Sequence, residues 1–181
     1  AHAIELQNAP IYGLNGGIQS LDPKEIDFWR EHAQCGNAYI NRHITGAIVR
    51  RQPFGGWKRS SVGSGTKPGG PDHLHSYGTW TPSHDAPVEQ ALSAYEQAWA
   101  EYFALEHDPT GLACESNILR YRPLDLVLAR VESMDAAEIP FLRSASLLTG
   151  TPLEISARET ETDEPLAARL SCMTGDVRLR L

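Results

Sequence analysis

What this chain has little of narrows its class first. Its three cysteines, Cys35, Cys114 and Cys172, stand far apart with no Cys-x-x-Cys pair among 181 residues. That spacing argues against a disulfide framework or a structural zinc site and favours a reducing, cytoplasmic setting. No apolar run approaches the roughly 20 residues of a membrane span, so no membrane partner is expected. Sixteen Lys and Arg face 23 Asp and Glu, a net charge of −7. The basic clusters, Arg50-Arg51 and Lys58-Arg59, are short. An extended nucleic-acid face is therefore not expected either. The opening "AHAIELQNAP" has no basic start followed by an apolar segment, so it does not read as a signal peptide. It begins without Met and in mid-pattern, which reads as a piece of something longer.

What is present is an ordinary globular composition, 41% hydrophobic and 22% charged, at a length that buries one good core or two small ones. "LDPKEIDFWREHAQCG" predicts a helix. Asp22 caps it, Pro23 opens it, Glu25 completes a capping box, and Gly36 is the stop. "NAYIN" predicts a short buried strand, and a further short strand is possible at "GAIV" within a glycine-rich loop. The proline-flanked "TPSHDAP" marks a domain junction. Beyond it Val88, Leu92, Tyr95, Trp99 and Tyr102 form one apolar stripe, which predicts a helix over 87–105. "DLVLARV" reads as a buried strand. Asp135 and Glu138 make a second capping-box pattern for a helix to Leu148, Gly150 stops it, and "PLEIS" is the next strand. The unit is βαβ, with parallel strands and a right-handed crossover. "ETETDEP" reads as an exposed acidic loop and "DVRLRL" as a last strand.

Motifs of general chemistry are nearly absent. The glycine-rich stretch from Ile44 to Pro71 invites a phosphate reading, but Lys67 lies between Thr66 and Pro68, which breaks the P-loop pattern. Gly63-x-Gly65 followed by Gly69 misses the dinucleotide fingerprint by one residue. His73-x-His75 reads either as two metal ligands on one strand face or as surface histidines. Without a Cys or acidic neighbour beyond Asp72, the second reading carries more weight. Cys35 sits at a helix C-terminus, where the dipole disfavours a thiolate.

In combination, however, the first eighty residues carry a resemblance. Tyr12-Gly13-Leu14, Gly36-Asn37 with Asn41, and Pro53-Phe54-Gly55-Gly56 with Ser60-Ser61 occur in one order. This resembles the end of the catalytic domain of the aldehyde dehydrogenase superfamily. "NRHITGAIV" and "KPGGP" are similar to its glutamate-semialdehyde (pyrroline-5-carboxylate) dehydrogenase branch, including the fused proline-utilisation enzymes. The resemblance implies that N–H groups around Gly46 and Ala47 bind the carboxylate of the aldehyde substrate, as a turn of closely spaced donors can. It implies that Phe54 walls the substrate's methylene chain, against the plainer alternative that Phe54 packs beneath its turn. "ESNILRYRPLDLVLARV" onward resembles the extra C-terminal domain of the longer proline-utilisation enzymes, a Rossmann-like lid or assembly element. Val131-Glu132-Ser133-Met134-Asp135 stands where a cofactor-binding turn needs glycines.

The expected fold is therefore α/β: the end of an aldehyde dehydrogenase catalytic domain over 1–80, a linker over 81–86, and a small Rossmann-like βαβ lid or assembly domain, itself cut short, over 87–181. The resemblance places the nucleophilic Cys, the general-base Glu and the NAD domain upstream, so no catalytic, cofactor or metal residue is assigned in this chain. NAD, and FAD in a fused proline dehydrogenase, are expected only of a parent protein. A homo-oligomer is expected, and the rival reading is a non-catalytic α/β oligomerisation or lid module. Purified alone, this chain is expected to form no NADH from glutamate semialdehyde in a spectrophotometric assay. Cysteine-dependent turnover by it would overturn that reading.

Overall fold

The protein is described by a computed structural model covering residues 2–46, 48, 51–61, 66–79, 81, 87–173 and 177–180. The chain divides into two compact units, residues 1–80 with 108–119, and residues 81–107 with 120–181. The first unit thus takes in a segment that returns to it after an excursion of 27 residues, 81–107.

In the first unit, helix α1 (His2–Asn8) precedes strands β1 (Tyr12–Gly13) and β2 (Asn15–Ile18), helix α2 (Pro23–His32), and strands β3 (Asn37–Ile40) and β4 (Trp57–Lys58). Asp22 caps α2 by accepting from the Lys24 N–H, as its position before Pro23 predicts. The rest of the predicted capping box does not form. Glu25 instead accepts from the Ser20 hydroxyl at 2.5 Å, and the Asp22 N–H donates to that same Ser20 oxygen. Strands β2 and β3 run parallel, with Asn15 opposite Asn37 and Ile18 opposite Ile40. β1 and β4 form a two-residue antiparallel pair. Trp29, Ala33 and Cys35 make the core, with Ile4, Ile18 and Ile40 packed on it. Trp29 donates its indole N–H to Gln7 at 3.0 Å, which ties α1 to α2.

Gly36 does not stop α2. The helix already leaves α conformation at Ala33, and Gly36 has a different task. A Cβ there would stand 2.0 Å from the Gly55 carbonyl oxygen and 2.6 Å from Gly56 Cα, so only glycine lets these backbones approach. Ala47 and Val49 of the possible strand at "GAIV" lie outside the described residues.

The second unit opens with α3 (Val88–Ala98), which runs on as a π-helical turn over Trp99–Phe103. Its apolar stripe packs by rings: Tyr95 on Phe141, and Tyr102 stacked on His107. Strands β5 (Leu126–Val131), β6 (Leu153–Ala157) and β7 (Val177–Arg180) form a parallel sheet in the order β6-β5-β7. α4 (Ile139–Thr149) crosses from β5 to β6, and Gly150 ends it at φ 68°.

Two local expectations fail here. Asp135 does not cap α4. The helix begins at Ile139, where Pro140 in the first turn has no missing donor to regret. The acidic stretch is not all loop, because Asp163 and Glu164 open α5 (Asp163–Cys172). Carboxylates in a first turn suit the helix dipole, while Leu166 alone is buried on that helix, so the periodic signal is weak.

The sheet is closed on one side by charge. Arg130, with a side chain only 2% exposed, donates to Ser156 Oγ at 2.6 Å and to Asp163 at 2.8 Å. Ser156 donates onward to Glu161, which Arg169 also engages at 2.7 Å. Leu128 is fully buried at the centre of the sheet. Leu128→Ala is expected to destabilise the chain by about 2–5 kcal/mol in urea denaturation, through lost apolar transfer and the cavity left behind.

Candidate functional site

The glycine-rich stretch is held in place by two asparagines. Asn37, 7% exposed, donates from Nδ2 to the Leu14 carbonyl and to Asn15 Oδ1, each at 3.0 Å. Its Oδ1 accepts the Gly55 N–H at 3.3 Å. Asn15 in turn donates to the Ile44 carbonyl at 3.2 Å. One network therefore fixes the Pro53–Gly56 turn and the start of the loop to the paired β2 and β3. A buried amide with all its partners met specifies geometry strongly.

Gly46 lies on the exposed face of this loop at φ 65°, with open space where a Cβ would stand. Its carbonyl accepts the Tyr39 hydroxyl at 2.9 Å, and Gln52 donates to that hydroxyl at 3.2 Å. Ala47 lies outside the described residues, as do Gly63 and Gly65. Phe54 is half-buried, and its N–H donates to the Pro68 carbonyl at 3.0 Å. The structure thus brings Gly46 and the Phe54 turn onto one framework built from β2 and β3.

Sequence reasoning missed three residues that shape the site. Lys67 reaches back to donate to the Gly36 carbonyl, and its stem covers Gly55, where an added Cβ would stand 2.7 Å from Lys67 Cγ. Burial pushes its ammonium below the ordinary lysine value, partly opposed by Cys35. Tyr39, 3% exposed, is the second. The third is Glu115, 64 residues beyond Arg51, which accepts from Arg51 at 3.0 Å and Arg42 at 3.3 Å. The Asn117 amide, helped by Arg42 and Arg51 and opposed by partial burial, holds the Glu115 carboxyl below the usual range. The "KPGGP" motif carried a signal for Lys67. Nothing local could have found Glu115.

His73 and His75 lie in a 3₁₀ turn (His73–Tyr77), not on a strand. His73 pairs with the Tyr77 hydroxyl, and His75 stands 3.8 Å from Asp72. Among the described residues no cluster of His, Cys, Asp or Glu is arranged to hold a metal ion. In the second unit, the turn after β5 has no glycine, and its Met134 N–H is taken by the Glu159 carboxylate at 2.9 Å. A carboxylate there repels the phosphates that a dinucleotide turn gathers, so these residues do not fit NAD. No described helix is long and apolar enough to cross a membrane.

Comparison with known proteins agrees with this framework. Residues 1–81 match the aldehyde dehydrogenase family. The relatives are more particular. The chain is 47% identical over 73 residues to the 1-pyrroline-5-carboxylate dehydrogenases of Geobacillus sp. (strain WCH70) and Bacillus mycoides (strain KBAB4), a match covering 40% of this chain and 14% of each relative. Across 99% of its length it resembles the structure of Proline Utilization A (PutA) from Corynebacterium freiburgense, with a TM-score of 0.81 and 39% identity, over 21% of that chain. The chain therefore spans a small part of the proteins it matches, about a seventh of the curated relatives and a fifth of the solved structure. The α/β architecture stands, with a segment that matches this family followed by a unit built on a parallel three-stranded sheet.

Lys67 yields a pH test. Because its folded-state pKa is depressed, the folded chain binds fewer protons than the unfolded chain between that value and the ordinary lysine value of about 10.4. Stability from this group accordingly rises with pH across that window. Urea midpoints measured from pH 7 to about 10.4 should climb for the wild type relative to Lys67→Met. Parallel pH slopes for the two proteins would contradict the burial of the charge.

Proposed function

We propose that residues 1–80 are the substrate-anchoring end of an NAD-dependent dehydrogenase that oxidises glutamate semialdehyde to glutamate in proline catabolism, and that this chain is inactive alone. The observation that carries the reading is the left-handed Gly46 turn, held by Tyr39 in a segment that matches this family and tied to the same strands as the Phe54 turn. A left-handed glycine lets neighbouring N–H groups converge on an anion, and the missing Cβ leaves room for a carboxylate. Gly46 and Ala47 bind the substrate's carboxylate end in this reading. Phe54 gives its methylene chain an apolar wall. The names of the relatives support the substrate class, since they are 1-pyrroline-5-carboxylate dehydrogenases and a proline-utilisation protein.

The thiolate that attacks the aldehyde, the general base and the nicotinamide site are assigned to other segments of the longer protein. NAD supplies hydride acceptance there, and FAD belongs to a fused proline dehydrogenase if one is present. Exposed apolar side chains in the first unit support the division. Leu21 is 96% exposed and Leu74 and Tyr77 are 76% exposed each, a surface fit for covering by more protein. We assign the second unit, residues 81–107 with 120–181, a lid or assembly role in a homo-oligomer. The charged turn after β5 favours that over cofactor binding.

In the longer protein, Gly46→Ala is expected to raise KM for glutamate semialdehyde about tenfold with little change in kcat, since it weakens a contact made equally in ground and transition states and strains a left-handed residue by about 1–2 kcal/mol. Steady-state kinetics decide it. An unchanged KM removes the anchor role, and a longer protein that makes no NADH from this aldehyde removes the whole reading.

A further inference from the structure

We propose that residues 108–119 are a positioning strap for the carboxylate-anchor loop, with Glu115 as its pin. The proposal deepens the preceding reading and rests on it for the identity of the anchor.

The two oxygens of Glu115 are divided between the two ends of the loop. Oε2 accepts from Arg42 at 3.3 Å and Oε1 from Arg51 at 3.0 Å. One carboxylate thereby ties together residues that bracket Gly46. Closing a segment of this length removes much of its freedom, which isolated surface ion pairs seldom do.

The pin itself is mounted rigidly. Asn117, 5% exposed, donates to Glu115 Oε1 and to Thr110 Oγ1, each at 3.2 Å, and its N–H donates to Asp108 at 2.9 Å. Asp108 also accepts from the Thr110 N–H, the Thr110 hydroxyl and the Gly111 N–H. The strap is thus a folded element with its own internal bonds, and it presents Glu115 in a set direction.

From the pin, contact runs to Gly46 by two routes that meet at one residue. The Arg42 guanidinium lies 5.6 Å from the centre of the Tyr39 ring, within cation–π range. Gln52, adjacent to Arg51, donates to the Tyr39 hydroxyl. Tyr39 donates to the Gly46 carbonyl. Because a peptide is planar, fixing that carbonyl fixes the whole peptide unit that carries it. Among the described residues, Glu115 bonds to Arg42, Arg51 and Asn117 but to neither Gly46 nor Phe54, and acts on the site through Arg42, Arg51 and Tyr39, so it is a positioning residue.

The test uses the 181-residue chain with L-glutamate, the proposed product, as probe. Backbone ¹³C′ relaxation reads the order of the Gly46 carbonyl that Tyr39 holds, and the Gly46 ¹³C′ shift reads glutamate binding. In Glu115→Gln, the Gly46 order parameter is expected to fall from about 0.85 toward 0.6, and the dissociation constant for glutamate to rise about tenfold. Glu115→Asp should restore both in part, while amides of β5 and β6 stay unchanged. Arg51→Met, which removes one of the two ties, should move both readouts the same way by less, and it carries the test if Glu115→Gln fails to fold. Unchanged Gly46 order and glutamate affinity in a folded variant would overturn the strap and leave the anchor reading standing. Loosening of Gly46 in a chain whose wild type shows no glutamate shift would uphold the strap and overturn the anchor reading.

Discussion

The first unit depends on one close approach. Gly36, the residue before β3, lies so near the Gly55–Gly56 backbone that a single added carbon would overlap it. That approach lets the neighbouring Asn37 reach Gly55, Leu14 and Asn15 at once. It also lets Lys67 lie over the contact and cap the Gly36 carbonyl. Without it the turn bearing Phe54 has no fixed relation to the strands, and the loop bearing Gly46 loses the Asn15 tether to Ile44. Burial of these peptide groups is eased because the Gly55 N–H and the Gly36 carbonyl find partners in Asn37 and Lys67.

Polar side chains, more than apolar ones, give this unit its shape. Its buried apolar cluster is small, namely Trp29, Ala33 and Cys35 with three half-buried isoleucines. Such a core sets α2 against the strands but cannot specify a long loop. The specification comes from Asn37, Asn15, Tyr39 and the arginines on Glu115, all directional contacts. The second unit uses charge differently. There Arg130, buried in the sheet, is met by Ser156 and by Asp163 at the start of α5, so losing the Asp163 contact would remove the counter-charge of a buried cation. The same arginine thereby anchors a helix whose apolar pattern is too sparse to announce it.

Much of the framework was legible along the chain because its signals are local. Asp22-Pro23 placed the start of α2, the run from Leu126 to Val131 its strand, and Gly150 the end of α4, each through the conformational preference of residues at that spot. Gly36 misled because glycine serves both helix ends and close backbone approach, and sequence does not distinguish the two. Glu25 and Asp135 misled because a capping-box spacing is only permission: in one case Ser20 took the carboxylate, and in the other the helix began later.

The sequence by itself determined α2, α3 and α4, strands β3, β5, β6 and β7, and, through a specific order of short motifs, the likeness of residues 1–80 to one family. These rest on residues within a few positions of one another, where backbone preference and hydrogen-bond reach are short-ranged. The tertiary structure alone decided that Tyr39 holds Gly46, that Lys67 covers the Gly36–Gly55 contact, and that residues 108–119 return to the first unit. The ends of one loop meet on a carboxylate 64 residues farther along. No local preference encodes such a meeting, because it exists only once the chain has folded back and brought opposite charges within a few ångströms.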